Sequence, residues 1–235
     1  MLFRQLIDST TSTFTYVLAD SQTREAVLID PVREQHHRDM QMIEELDLKV
    51  RFILETHIHA DHVTGTHELA QKTGALSTVA ACSGAQGAGH WLEDGDHVRF
   101  GQHYLEARCT PGHTAGCLTY VLDNQRMAFT GDTLLVRGCG RTDFQEGCAA
   151  QLYDSVHKKI FPLPDACLIY PAHDYQGRTA STVGEEKKHN PRLAEHIDAD
   201  AFIKIMAGLN LKYPAQIDVA LPLNMRCGKP NDESP

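Results

Sequence analysis

Residues 2–7, 14–18 and 26–29 are short stretches rich in apolar residues, and clusters of Ser, Thr, Asp and Gln separate them. That spacing predicts three short strands joined by turns, in the simplest case an antiparallel meander. Asp30 followed by Pro31 matches a helix N-cap with proline in the first turn, so a helix is expected from there to about Leu46, ahead of a strand over 50–54. A helix over 63–73 follows, ended by Gly74, and then a strand over 76–80. The glycine-rich stretch 84–89 has no readable pattern. Farther on, strands are expected over 98–100, 104–109, 118–122, 127–130 and 167–170, and helices over 149–160, 179–188 and 200–211. In the last helix Phe202, Ile205, Met206 and Leu209 keep the i, i+3, i+4, i+7 spacing of a buried stripe. Strands with helices interspersed imply mixed sheets covered by helices on their outer faces. Neither a repeat nor a separating linker is apparent, so one domain is expected over 1–227, with 228–235 as a disordered tail.

Composition narrows the class. The 235 residues carry 22 Lys and Arg against 31 Asp and Glu, a formal charge of -9, which argues against nucleic acid as a partner. The first residues lack the basic head and apolar run of an export signal, and no stretch reaches the length of a membrane span. A soluble protein with no membrane partner is expected, cytoplasmic or, as the alternative, organellar. The seven cysteines contain no CxxC pair and fit a reducing compartment better than a disulfide framework.

Thr56-His57-Ile58-His59-Ala60-Asp61-His62 places three imidazoles and a carboxylate within six positions, directly after the strand over 50–54. Neutral His nitrogens and Asp oxygens suit zinc, iron or manganese, and no Cys in the cluster biases it toward softer metals. On an extended segment His57 and His59 point to the same side. Three further strand ends carry His or Asp beside Gly or Pro: Gly112-His113, Gly131-Asp132 and Ala172-His173-Asp174.

In this order His57, His59, Asp61, His62, His113, Asp132 and His173 resemble the HxHxDH, His, Asp, His pattern of the metallo-β-lactamase superfamily. The resemblance runs from about Phe14 to Tyr175 and implies an α/β (α+β) fold: an αββα sandwich of two mixed sheets flanked by helices, with the ligands on loops along one edge. Within that superfamily, residues 56–65, Gly138-Cys139-Gly140-Arg141-Thr142-Asp143-Phe144-Gln145 and Asn224-Met225-Arg226-Cys227-Gly228 look like the persulfide dioxygenases, relatives of glyoxalase II. That likeness implies oxidation of glutathione persulfide by O2 to sulfite and glutathione at one non-haem Fe(2+) per chain, held by His57, His113 and Asp132. Two His and one carboxylate leave coordination positions for both reactants, as in iron(II) oxygenases. His59, Asp61, His62 and His173 then support the ligands and move protons.

Arg141 is the expected anchor for a glutathione carboxylate and Tyr175 a hydrogen-bond partner for the peptide, since both match positions the family uses near substrate. Arg178, Lys187, Lys188 and Arg192 are candidates to add positive field, the two lysines equally to lie on a solvated helix face. Thr130, Asp143 and Asp174 are expected to shape loops. Cys139 and Cys227 are weaker candidates for contact with the substrate. A homodimer is the default assembly. The alternative function is a glyoxalase II type hydrolase of glutathione thioesters using two metals, and a non-catalytic metal-binding module is a third reading.

Overall fold

The computed structural model describes residues 1–230. The chain forms two compact units: one from Met1–Leu92, Arg99–Gln102 and the segment beginning at Tyr213, the other from Glu93–Val98 and His103–Lys212.

The first unit is built on β1 (Leu2–Asp8), β2 (Thr13–Ala19), β3 (Glu25–Ile29), β4 (Lys49–Leu54), β5 (Leu76–Ala80) and β6 (His90–Leu92), hydrogen-bonded in that order. The first three form the expected antiparallel meander. The connections before β4 and β5 carry helices, α1 (His36–Glu45) and α2 (Thr66–Thr73), and both these strands join the sheet in parallel, as crossover connections require. Ile43 of α1 and Leu69 of α2 pack on Val17, Ala19, Ala26, Leu28, Val50 and Ile53, which removes one sheet face from water.

A second sheet is formed by β7 (His97–Phe100), β8 (His103–Cys109), β9 (Leu118–Leu122), β10 (Met127–Gly131), β11 (Leu168–Pro171) and β12 (Ser181–Thr182), in the order β12-β11-β10-β9-β8-β7. β10 and β11 are parallel, while β8 with β9 and β9 with β10 are antiparallel, so this sheet is mixed too. Its covering helices are α3 (Ala149–Ser155), which continues as a π-helical turn over Val156–Ile160, then α4 (Val183–His189) and α5 (Ala199–Ala207). Leu152, Val156, Ile160, Val183 and the stripe residues Phe202 and Met206 bury against Val121, Ala128 and Ile169.

Several expectations change: the helix expected over 179–188 begins only at Val183, and the one expected over 200–211 ends at Ala207, which leaves Leu209 beyond it. Asp30 does not cap a helix: it takes a left-handed φ of 51° at the end of β3, and α1 begins only at His36, after a short 3-10 turn over Arg33–Gln35. The helix expected from residue 63 starts at Thr66, because residues 55–65 are a loop. A further helix, α6 (Ile217–Asn224), was hidden by its internal Pro222, which removes a backbone donor and reads as a helix breaker. Gly228 and Lys229, the start of the expected tail, hydrogen-bond back to Leu223 and Arg226, and residues 231–235 of that tail lie outside the described residues. Among the described residues no helix is long and apolar enough to cross a membrane.

Phe202 is fully buried and packs at 5.8 Å on Tyr153. Phe202→Ala is expected to lower stability by about 3–5 kcal/mol, read from urea unfolding at unchanged m-value.

Candidate metal centre

In the first unit, β4 delivers its C-terminal end into the histidine loop. The backbone N of Asp30 donates to Leu54 O at 2.9 Å, so the ends of β3 and β4 sit side by side. The Asp30 carboxylate then accepts Thr56 N and Thr56 Oγ1, both at 2.7 Å, and lies 3.2 Å from His59 Nε2. The rings of His57 and His59 are 4.0 Å apart and those of His59 and His62 4.4 Å apart, all three buried. Asp61 pairs with His62 Nδ1 at 2.9 Å and lies 3.8 Å from His59 Nδ1. The cluster predicted from sequence is thus folded into one buried loop.

Two residues to which the sequence assigned no role, Glu55 and Asn224, hold this loop. Glu55 is buried and accepts hydroxyls from both Thr64 and Thr66. Burial pushes its carboxyl up to about 7, against the pull of His59 and the two threonines. Asn224, at the end of α6, accepts Thr64 N at 2.9 Å and donates to His59 O and His62 O at 2.9 and 2.8 Å. Asp30 itself carried a readable signal, a carboxylate at a strand end just as in Gly131-Asp132, but Pro31 diverted it to a capping role.

In the second unit, His113 follows the turn after β8 and Asp132 follows β10. His113 Nδ1 donates to Arg141 O at 2.7 Å, which leaves Nε2 as the lone-pair nitrogen of a neutral ring. Asp132 Oδ2 lies 3.7 Å from His113 Nε2, too far for a hydrogen bond but suited to an N and an O that share one ion through bonds of about 2.1 Å each. Asp132 Oδ1 accepts His173 Nδ1 at 2.7 Å. These donors fit a divalent metal. Gly140 makes the arrangement sterically feasible: its N donates to Asp132 O, and a Cβ there would lie 2.7 Å from both Asp132 O and His113 Nδ1.

The loop carrying Gly140 is held from behind α4. Asn190 Nδ2 donates to Gly138 O at 3.1 Å, and Arg192 Nη1 donates to Cys139 O at 3.2 Å, so Arg192 fastens the loop. The guanidinium of Arg141 grips Asp143 through two bonds of 2.6 and 2.7 Å, donates to Lys212 O and covers the Phe144 ring. This ion pair, chiefly through its hydrogen bonds, holds the Asp143 carboxyl below the usual range. With Asp143, Arg141 lines a pocket of about 360 Å³ floored by Ile203, Met206 and Leu211. Tyr175 is 71% exposed and stacks on His173 at 6.0 Å between ring centres. Arg178 pairs with Asp174, whose carboxylate also accepts Gln176 N and Arg178 N, and Thr130 donates to Leu134 O, so Thr130 and Asp174 shape their loops as expected. Lys187 pairs with Asp165. Cys139 and Cys227 are buried, and burial pushes both thiols up to about 11.

Two mixed sheets with helices packed on them, and His and Asp side chains gathered on the loops that follow their strands, define a metal-binding α/β protein. The chain belongs to the metallo-β-lactamase superfamily, whose model matches residues 9–81 and 83–173. It is 57% identical over 229 residues to the mitochondrial persulfide dioxygenase ETHE1 of Mus musculus, covering 97% of this chain and 89% of that one. Its identity to the Homo sapiens protein of the same name is 56% over the same coverage. The crystal structure of ETHE1 from Myxococcus xanthus matches with a TM-score of 0.94 at 50% identity, over 97% of this chain and 100% of the other.

Gly140→Ala is expected to weaken metal binding by about 10–100-fold, because the new methyl displaces His113 or Asp132. Metal per chain after dialysis against a chelator checks this, with circular dichroism as the control for folding.

Proposed function

We propose that this protein is a persulfide dioxygenase, which converts glutathione persulfide, O2 and water to sulfite and glutathione. The observation that carries this reading is the 57% identity to the mouse persulfide dioxygenase over 97% of the chain, together with His113 and Asp132 donors spaced to share a metal.

His57, His113 and Asp132 are the proposed ligand set for one iron(II) per chain. The superfamily pattern supports it, as do the hydrogen bonds that commit one nitrogen of each ring to an oxygen, 3.0 Å at His57 and 2.7 Å at His113. Bound iron(II) supplies redox chemistry with O2 that zinc does not. The chain's own residues do the rest. Asp132 brings one negative charge, and its second oxygen fixes His173. His59, Asp61, His62 and His173 are proposed to position water and move protons; Asp61 pairs with His62 Nδ1 and lies 3.8 Å from His59 Nδ1. Tyr175, exposed beside His173, offers a hydroxyl to the peptide part of the substrate.

Arg141 is proposed to receive a glutathione carboxylate. Asp143 already occupies two of its donors, so the substrate meets this arginine by exchanging with Asp143 or at the remaining N–H groups. The reducing compartment implied by seven free cysteines supports a cytoplasmic location, and a homodimer completes the proposal.

Asp132→Ala is expected to lose iron and oxygen uptake together, measured as iron per chain and with an oxygen electrode on glutathione persulfide. Two tightly held metals per wild-type chain, with hydrolysis of lactoylglutathione and no oxygen uptake, would establish the thioester hydrolase instead. Arg141→Ala is expected to raise KM roughly tenfold or more with iron retained, equivalent to about 1.4 kcal/mol of binding; an unchanged KM removes Arg141 from the substrate site.

A further inference from the structure

A metal can take only the imidazole nitrogen that carries no proton, and which nitrogen that is depends on what the other one bonds. His57 Nδ1 lies 3.0 Å from Thr56 Oγ1. A hydroxyl has a single proton to give, and that of Thr56 goes to Asp30 Oδ2 at 2.7 Å. The other carboxylate oxygen accepts the Thr56 backbone N–H, also at 2.7 Å. With its proton committed, the hydroxyl can only accept from His57, so Nδ1 must be the donor.

We infer that Asp30 and Thr56 are positioning residues that fix His57 as its Nδ1–H tautomer and so present Nε2 as the metal-binding atom. The inference rests on the reading of His57 as a metal ligand. All three residues are buried, which keeps bulk solvent from substituting for the hydroxyl.

The two proposed histidine ligands differ in how they reach the same tautomer. His113 gives its Nδ1 proton to the carbonyl of Arg141, and a carbonyl only accepts. His57 gives its proton to a hydroxyl, whose direction is set one step back by the Asp30 carboxylate. An amide at position 30 keeps Oδ1 for the Thr56 N–H but replaces Oδ2 by an NH2 that donates to Thr56 Oγ1. The hydroxyl proton then turns toward His57 Nδ1, the ring proton moves to Nε2, and the metal-binding atom is blocked. A substitution that barely changes volume therefore reverses the chain of hydrogen bonds.

The test uses 15N-labelled, zinc-loaded full-length protein, zinc being diamagnetic, with His57→Gln to assign the ring. Long-range 1H–15N spectra are expected to show a proton on Nδ1 of His57 and a zinc-dependent shift at Nε2. Thr56→Ser should retain both. Thr56→Val, which keeps the shape and deletes the hydroxyl, should weaken zinc binding by about 10–100-fold in chelator competition. Asp30→Asn should do the same and carry its ring proton on Nε2; if that variant does not fold, Thr56→Val against Thr56→Ser still decides. Unchanged tautomer and zinc affinity in Thr56→Val overturn the inference, as does a zinc response at Nδ1. No zinc response at either nitrogen of wild-type His57 overturns the ligand reading and the inference with it.

Discussion

A carboxylate withdrawn completely from solvent must find donors, and at Asp30 it finds them in Thr56. The meeting depends on the parallel pairing of β3 with β4, in which Ile29 stands opposite Leu54, so the residues leaving both strands emerge together. Asp30 adopts a left-handed backbone, which Asp tolerates better than most residues, and this turns its side chain back toward the emerging loop. Everything downstream in the first unit inherits that geometry. Thr56 is fixed, His57 is bonded to Thr56, and His59 sits against Asp30.

The second unit uses a similar device with different chemistry. Asp132 and His113 leave neighbouring regions of one sheet, and the loop over residues 137–141 closes on them through Gly140 N and Arg141 O. Its strand-type pairing is confined to an isolated bridge between Leu135 and Gly138. Its rigidity comes from Glu186, which is fully buried and bonded to Arg137, Ser181 and Asn190, and from Arg192 on Cys139 O. A buried polar network in which each member has a partner holds such a loop more firmly than apolar contact would.

The cysteines bear on how a persulfide would be handled. A persulfide exchanges readily with thiolates, yet Cys117, Cys139, Cys167 and Cys227 are all pushed up to about 11 by burial, which leaves them as thiols near neutrality. Such residues pack as small hydrophobes, with Cys139 against Met206 and Cys227 among Ile58 and Val79. The imidazole and carboxylate groups are thus the better-placed chemistry for the proposed oxidation, and sulfur exchange with the core is suppressed.

Local pattern was enough to locate most strands, the stripe of α5 and the residues from His57 to His173 that identify the superfamily, because apolar runs, helical spacing and ligand type are written in neighbouring positions. It misplaced Asp30 as a helix cap, passed over Glu55, and included Asn224 and Gly140 in family motifs without showing what they do. Each of those acts on a residue that chain pairing brings near: Asp30 on Thr56, 26 positions away, and Asn224 on His59, 165 positions away. Nor could it show that Arg141 is held by Asp143, or that Arg192 fastens a loop 53 residues earlier. The sequence by itself determined which atoms are available to bind a metal. Which nitrogen of each ring faces it, and what holds that ring still, was decided by tertiary structure, because a hydrogen bond depends on distance and direction in space and not on separation along the chain.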